Sequence, residues 1–258
     1  MLSPDFPRII AALQLPPFRS HEPCRSMAWY EDFLLHNARI FVEEGVQAIK
    51  IQDETRETDA GAQRTIARMA VLGRMVRNEF PHLRLGIIVQ AHDAIAPLAI
   101  ADAAGAEFVR LKVFVGAATN AEGLRNGLSV QAGDYRQHLN RPDINLFADV
   151  HDRTCQPLNG VPNLTAALWA QSMGADSLVI TGSDFSDTLD RLREARAGGV
   201  HLPLTIGGGV NAGNVHSALA TADHVVVSTA LMRDGAPMDA FDLWDKHKVR
   251  AFMDAAHG

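Results

Sequence analysis

Near the end of the chain a short apolar run, Pro203-Leu204-Thr205-Ile206, enters three glycines, Gly207-Gly208-Gly209, and then a stretch that reaches Asn214. A second buried run, Val225-Val226-Val227, ends in Ser228-Thr229. Glycine lets a backbone come close to a ligand, and bare N–H groups at a turn or helix start attract an anion. Two successive strand ends of this kind predict a phosphate site on Gly207, Gly208, Gly209, Ser228 and Thr229. Thr181 and Gly182, at the end of the preceding strand, join them. The plainer alternative is that the glycines only relieve crowding at a sheet end.

Proton chemistry has its own candidates. Asp149 and His151 are two residues apart on a predicted strand and so share a face. A carboxylate beside an imidazole suits general acid–base work, since each tunes the other's proton affinity. The competing reading is an ion pair of Asp149 with Lys112 or Arg110. A metal site on Asp149, His151 and His92 lacks a His-rich spacing, so no metal is predicted. Lys112, flanked by Val113 and Phe114, offers an electrostatic clamp or a Schiff-base amine, and the clamp is the stronger reading. Arg110, on the same face, would share in stabilising developing negative charge. Gln14, Gln52, Glu54 and His92 fall at other strand ends and form a substrate rim, with Asp53 on the opposite face of its strand. Cys155 has no evident activating partner and reads as an inert thiol.

These residues need elements to position them. An amphipathic stretch, a glycine and a short apolar run recur at Gly45, Gly105, Gly174 and Gly198-Gly199. Such glycines end helices, and the apolar runs read as strands buried on both faces. Eight strands are predicted, roughly 9–15, 48–53, 84–91, 108–114, 144–150, 177–182, 203–207 and 224–230. Alternating strands and helices without a composition break predict an α/β fold, a (β/α)₈ TIM barrel, as one domain over residues 1–258. The longest connections, Pro16–Met27, Glu54–Gln63 and Val115–Gln131, read as irregular loops that follow strands, where a barrel builds its site. The stretch Phe241–Ala256 has an apolar face suited to closing the outer ring.

Composition excludes several classes. The 258 residues carry a net charge of −6, which argues against a nucleic-acid surface. Two cysteines, Cys24 and Cys155, make no disulfide framework, and a reducing cytoplasm is expected. No signal core and no long apolar run is seen, so no integral membrane segment is expected. No strand–GxGxxG–helix unit opens a dinucleotide site, and no cofactor is predicted. A homo-oligomer through outer helices is an open possibility, with Phe33, Leu34 or Trp169 as contacts.

Several segments together resemble the BtpA/SgcQ family from end to end. They are Leu13-Gln14-Leu15-Pro16-Pro17, Phe108-Val109-Arg110-Leu111-Lys112-Val113, Ala148-Asp149-Val150-His151 with Pro157-Leu158, and Gly174-Ala175-Asp176 with Thr181-Gly182. Gly207-Gly208-Gly209-Val210 with Asn214, Ala222-Asp223, Ser228-Thr229, Asp234-Gly235 and Val249-Arg250-Ala251-Phe252-Met253 complete the set. The resemblance implies a (β/α)₈ barrel. The family's cyanobacterial namesake is linked to photosystem I accumulation, and other members accompany sugar-uptake and catabolic genes. This chain departs at the rim. Gln14 stands where the family has His, and Phe18-Arg19-Ser20-His21 replaces a Pro-Gly-Ser-Pro loop. Arg153-Thr154-Cys155 replaces Lys-His, Ile88 and Ala91 stand for Asn and Arg, and Met232 for Lys.

The function expected from these readings is a cytosolic isomerase, lyase or glycosidic-bond-cleaving enzyme of carbohydrate metabolism, acting on a sugar or nucleoside phosphate. The alternatives are an assembly factor of the photosystem I biogenesis type and a sensor of a phosphorylated ligand.

Overall fold

The computed structural model describes residues 2–18, 25–57, 59–151 and 153–258. Cys24 and the Arg19-Ser20-His21 replacement loop lie outside the described residues. The chain runs β1 (Ile9–Leu15), α1 (Met27–Glu43), β2 (Ala48–Asp53), α2 (Gln63–Glu79), β3 (Arg84–Ile88), α3 (Ile95–Ala104) and β4 (Phe108–Leu111). It continues through β5 (Ala117–Asn120), β6 (Gly123–Asn126), α4 (Ser129–His138), β7 (Asn145–Asp149), β8 (Gln156–Pro157), α5 (Asn163–Ser172) and β9 (Ser177–Ile180). It ends with α6 (Phe185–Ala197), β10 (Leu204–Ile206), α7 (Val215–Thr221), β11 (His224–Val227) and α8 (Lys246–His257).

Eight of these strands close a barrel in the order β1-β11-β10-β9-β7-β4-β3-β2, and every pair in it is parallel. This is the predicted (β/α)₈ architecture. The expected turns at Gly45, Gly105, Gly174 and Gly198-Gly199 do follow helices. Several strands stop earlier than the apolar runs suggest: β3 at Ile88, β4 at Leu111, β7 at Asp149 and β9 at Ile180.

The expectation of an irregular loop over Val115–Gln131 is corrected. Its residues form an antiparallel hairpin, β5 and β6, to which β8 adds a third strand. No helix among the described residues is long and apolar enough to cross a membrane. In α8, Val249, Phe252 and Met253 are buried against the body, as the apolar face predicts. Phe33 and Leu34 are fully buried and offer nothing to a partner copy, whereas Trp169 is exposed.

Side chains on the outward face of the barrel pack under the helices. Ile49, Ile51, Leu85, Ile87, Val109 and Leu178 belong to this layer and are fully buried. A second, smaller cluster fills the barrel's interior at its N-terminal end, around Phe6, Ile10, Phe108, Phe147 and Val226. The rings of Phe6, Phe108 and Phe147 stand 4.8 to 5.7 Å apart, centroid to centroid.

The same N-terminal end carries a device that recurs after α2, α4 and α6. Arg77 of α2 bonds Glu107, whose carboxylate also accepts the Leu85 N–H of β3. Arg136 of α4 bonds Asp176, which accepts the Leu146 N–H of β7. Arg196 of α6 bonds Asp223, which accepts the Leu204 N–H of β10. Each clasp ties a helix, the strand that follows it and the residue before the next barrel strand. Charge-assisted bonds of this kind contribute about 1.5–3 kcal/mol where water is partly excluded.

One outward residue of β2 sets a pH dependence. Asp53 is fully buried, its Oδ1 accepts the Thr55 N–H at 2.8 Å, and its Oδ2 has no partner among the described residues. Burial pushes its carboxyl up to about 6. A raised folded-state value means that its stabilising contribution is full below the unfolded value near 3.8 and is lost as pH rises through about 6. The difference corresponds to about 3 kcal/mol. Carbon-detected NMR of the Asp53 carboxyl should therefore show a midpoint near 6 rather than near 4.

Candidate active site

Inside a barrel strand every second residue points to the axis. The inward rows climb from apolar to polar. They read Ile10–Ala12–Gln14 on β1, Ala48–Lys50–Gln52 on β2 and onwards to Glu54, and Phe108–Arg110–Lys112 from β4. Phe147–Asp149, Val179–Thr181 and Val226–Ser228 repeat the gradient. Above the aromatic cluster the polar ends enclose a cavity of about 260 Å³. Among the described residues, five basic side chains line it, Lys50, Arg56, Arg110, Lys112 and Arg153, against two carboxylates, Glu54 and Asp149. That excess suits an anionic ligand.

At the centre, Arg110 grips Asp149 with both arms of its guanidinium, Nε to Oδ2 at 2.9 Å and Nη2 to Oδ1 at 2.8 Å. The Asp149 side chain is 2 % exposed and that of Arg110 13 %. The third nitrogen, Nη1, donates to the Gly207 carbonyl at 3.3 Å. The buried pair thus anchors the start of the glycine turn. Gly207 has no room for a side chain: a Cβ there would stand 2.3 Å from Thr181 Oγ1 and 3.0 Å from Arg110 Nη2. Gly209 has φ +79°, a conformation that glycine adopts without the steric cost borne by other residues. The Gly208 and Gly209 N–H groups find no acceptor among the described residues.

A chain of hydrogen bonds joins the two sides of the cavity. Ser228 Oγ donates to Gln14 Oε1 at 2.8 Å, and Gln14 Nε2 donates to Glu54 Oε1 at 3.0 Å. From the other side, Gln52 Nε2 donates to the same Glu54 oxygen at 2.5 Å, and Lys50 Nζ donates to Gln52 Oε1. Glu54 Oε2 receives no donor from the described residues. Lys50 is 2 % exposed. Its burial, with Arg110 and Lys112 adding to the effect, holds its ammonium well below the usual lysine range.

The cavity brings together most of the sequence-predicted residues: Gln14, Gln52, Glu54, Arg110, Lys112, Asp149, Thr181, Gly207, Gly208, Gly209, Ser228 and Thr229. Three are elsewhere. His151 follows the end of β7, so the two-residue spacing no longer sets a common face. It lines a side hollow with Cys155 and Trp169. Burial and Arg191 push its imidazole down. His92 lies beyond β3, bonds the Asn126 carbonyl at 2.8 Å and lines a hollow beside the hairpin. Gly182 gives its N–H to Thr188 Oγ1 at 2.8 Å and faces the α6 entrance. Asp149, His151 and His92 therefore do not converge. Lys112 lies just past β4, where Val113 turns the chain out of the barrel at φ +43°, an outlier for a β-branched residue. Its Nζ is held by Gln90 Oε1 at 2.7 Å. The in-strand lysine of the cavity is Lys50. Its inward parity was readable, but nothing local in the sequence announces its burial.

A model described as the BtpA family matches residues 8–258. The Synechocystis protein named Photosystem I biogenesis protein BtpA is 32% identical over 175 residues, which span 66% of this chain and 59% of that protein. The match thus spans less than two thirds of that relative's length. An uncharacterized protein of Archaeoglobus fulgidus is 28% identical over 257 residues, 97% of this chain and 98% of the relative. Among solved structures, 3-hexulose-6-phosphate synthase from Salmonella typhimurium superposes with a TM-score of 0.60 at 14% identity, covering 97% of this chain and 98% of that one. N-(5'-phosphoribosyl)anthranilate isomerase from Pyrococcus furiosus gives 0.59 at 13%, covering 96% and 98%. At these identities the structural likeness shows the barrel fold.

Proposed function

We propose that this chain, which belongs to the BtpA family, is an enzyme that binds a small phosphorylated metabolite, a sugar or nucleoside phosphate, in the central cavity. The observation that carries the reading is the meeting of two strand-end turns, Gly207–Gly209 and Ser228–Thr229, over a cavity whose described lining has an excess of basic groups. Loops after the last two strands of a (β/α)₈ barrel are the common place for a phosphate. The phosphate rests on the Gly208 and Gly209 N–H groups and on Ser228. Arg110 and Lys112 stabilise negative charge as it develops, and Asp149 positions Arg110. Glu54, one oxygen of which accepts no bond from the described residues, moves the proton. The reaction is an isomerisation, a lyase step or glycosidic cleavage. The names of the hexulose-phosphate and phosphoribosyl relatives by fold are in keeping with such a substrate.

A purely structural role fits the interior less well. Burying Lys50 without a paired carboxylate costs folding free energy, and a scaffold gains nothing from it. The test is a panel of sugar and nucleoside phosphates, each beside its unphosphorylated counterpart, in binding calorimetry and turnover assays. Phosphorylated compounds should bind and at least one should react. Equal binding of both forms would remove the phosphate reading. Binding by none, with capture of a protein partner, would favour the assembly role that the Synechocystis relative's name suggests.

A further inference from the structure

We propose, resting on the reading of the cavity as a phosphorylated-metabolite site, that Lys50 is a catalytic nucleophile whose amine condenses with the carbonyl carbon of a phosphorylated ketose or aldose. The first support is the use of lysine in this chain. It has 24 basic residues, and only Lys50, Lys112, Lys246 and Lys248 are lysines. Lys246 and Lys248 make salt bridges on the surface, with Glu43 and Asp234. The other two both line the central cavity. Arginine serves nearly every other cationic position, including the buried partner of Asp149. An arginine there would supply charge equally well. What only lysine adds is an amine that can lose its proton and attack carbon.

The second support is the environment of Lys50. It stands on a rigid barrel strand, buried, and it faces the same cavity as the glycine turn. No carboxylate forms an ion pair with it among the described residues, and its amine donates to a neutral amide oxygen, Gln52 Oε1. Desolvation and the nearby Arg110 and Lys112 charges favour the neutral amine, outweighing Glu54 and Asp149. A desolvated amine beside other cations is how a lysine becomes a nucleophile at neutral pH.

The step balances without an oxidant or reductant. The amine lone pair forms the C–N bond while the carbonyl π pair moves to oxygen. That oxygen leaves as water with the two amine hydrogens, and the product is an imine. Protonation of the imine nitrogen gives an electron sink for a carbanion on the adjacent carbon. This narrows the proposed reaction to carbon–carbon cleavage or isomerisation of a keto or aldo phosphate and excludes glycosidic cleavage. Glu54, linked to Lys50 through Gln52, is the group placed to move the protons.

The test is trapping with cyanoborohydride in the presence of dihydroxyacetone phosphate or ribose 5-phosphate, followed by peptide mapping. The same protein is titrated with inorganic phosphate by calorimetry. The expected result is one reduced adduct on the Lys50 peptide, lost in Lys50→Arg. Phosphate binding with no adduct from either probe, or an adduct on Lys112 alone, overturns the role of Lys50 and leaves the phosphate site standing. An adduct on Lys50 in a protein that binds no phosphate does the reverse. If neither forms, both readings fall. Should Lys50→Arg not fold, the adduct's position in the wild-type protein still decides.

Discussion

Gly208→Asp should abolish phosphate binding while leaving the fold unharmed. A Cβ at Gly208 meets nothing within 4 Å, so the substitution has room. Its carboxylate would stand where the phosphate is proposed to rest. Two like charges about 4 Å apart repel by about 4 kcal/mol at an effective dielectric near 20. Affinity for inorganic phosphate in calorimetry should fall by at least about 100-fold, since each tenfold is about 1.4 kcal/mol. The melting temperature should stay within about 2 °C, as is usual for a surface change that strains nothing. Unchanged affinity would move the anion away from this turn.

Asp149→Ala should cost about 3 kcal/mol of stability, a fall of roughly 10 °C in melting temperature. The loss comes from the Arg110 guanidinium, which would stay buried and lose both of its bonds to the carboxylate. It would also lose the brace that aims Nη1 at the Gly207 carbonyl, so phosphate affinity should fall in step. Asp149→Asn keeps one acceptor and should fall between the two. The decisive control is Asp149→Leu combined with Arg110→Met. Replacing both charges by apolar groups should restore most of the stability but none of the binding. A double variant as unstable as Asp149→Ala would mean that the cost lies in packing rather than in a stranded charge. Denaturant titration reads the stability and calorimetry the binding.

The barrel and much of the cavity were legible because both depend on a local period. Eight apolar runs separated by amphipathic stretches give the strand order, and the two-residue alternation puts Lys50, Gln52 and Glu54 on one face. The differences arise where that period stops. A strand that ran on past Asp149 would bring His151 onto its face, and the same holds for His92 beyond β3 and Gly182 beyond β9. Strand ends are set by the pairing with neighbours, which a single segment does not encode. The β5–β6 hairpin escaped for another reason. Ala117-Ala118-Thr119-Asn120 and Gly123-Leu124-Arg125-Asn126 are mostly weak strand formers, and their pairing rests on tertiary context. The Arg77–Glu107, Arg136–Asp176 and Arg196–Asp223 clasps have no local signature, since each joins residues 27 to 40 positions apart.

The packed rings of Phe6, Phe108 and Phe147 close the lower end of the barrel. Among the described residues the cavity's doorway therefore lies on the side of the strand C-termini. Traffic through one doorway has an order. If a ligand is split into two fragments, the fragment lying nearer the rings leaves only after the one above it has gone. A steady-state inhibition pattern in which one product competes with substrate and the other does not would be the kinetic trace of that queue.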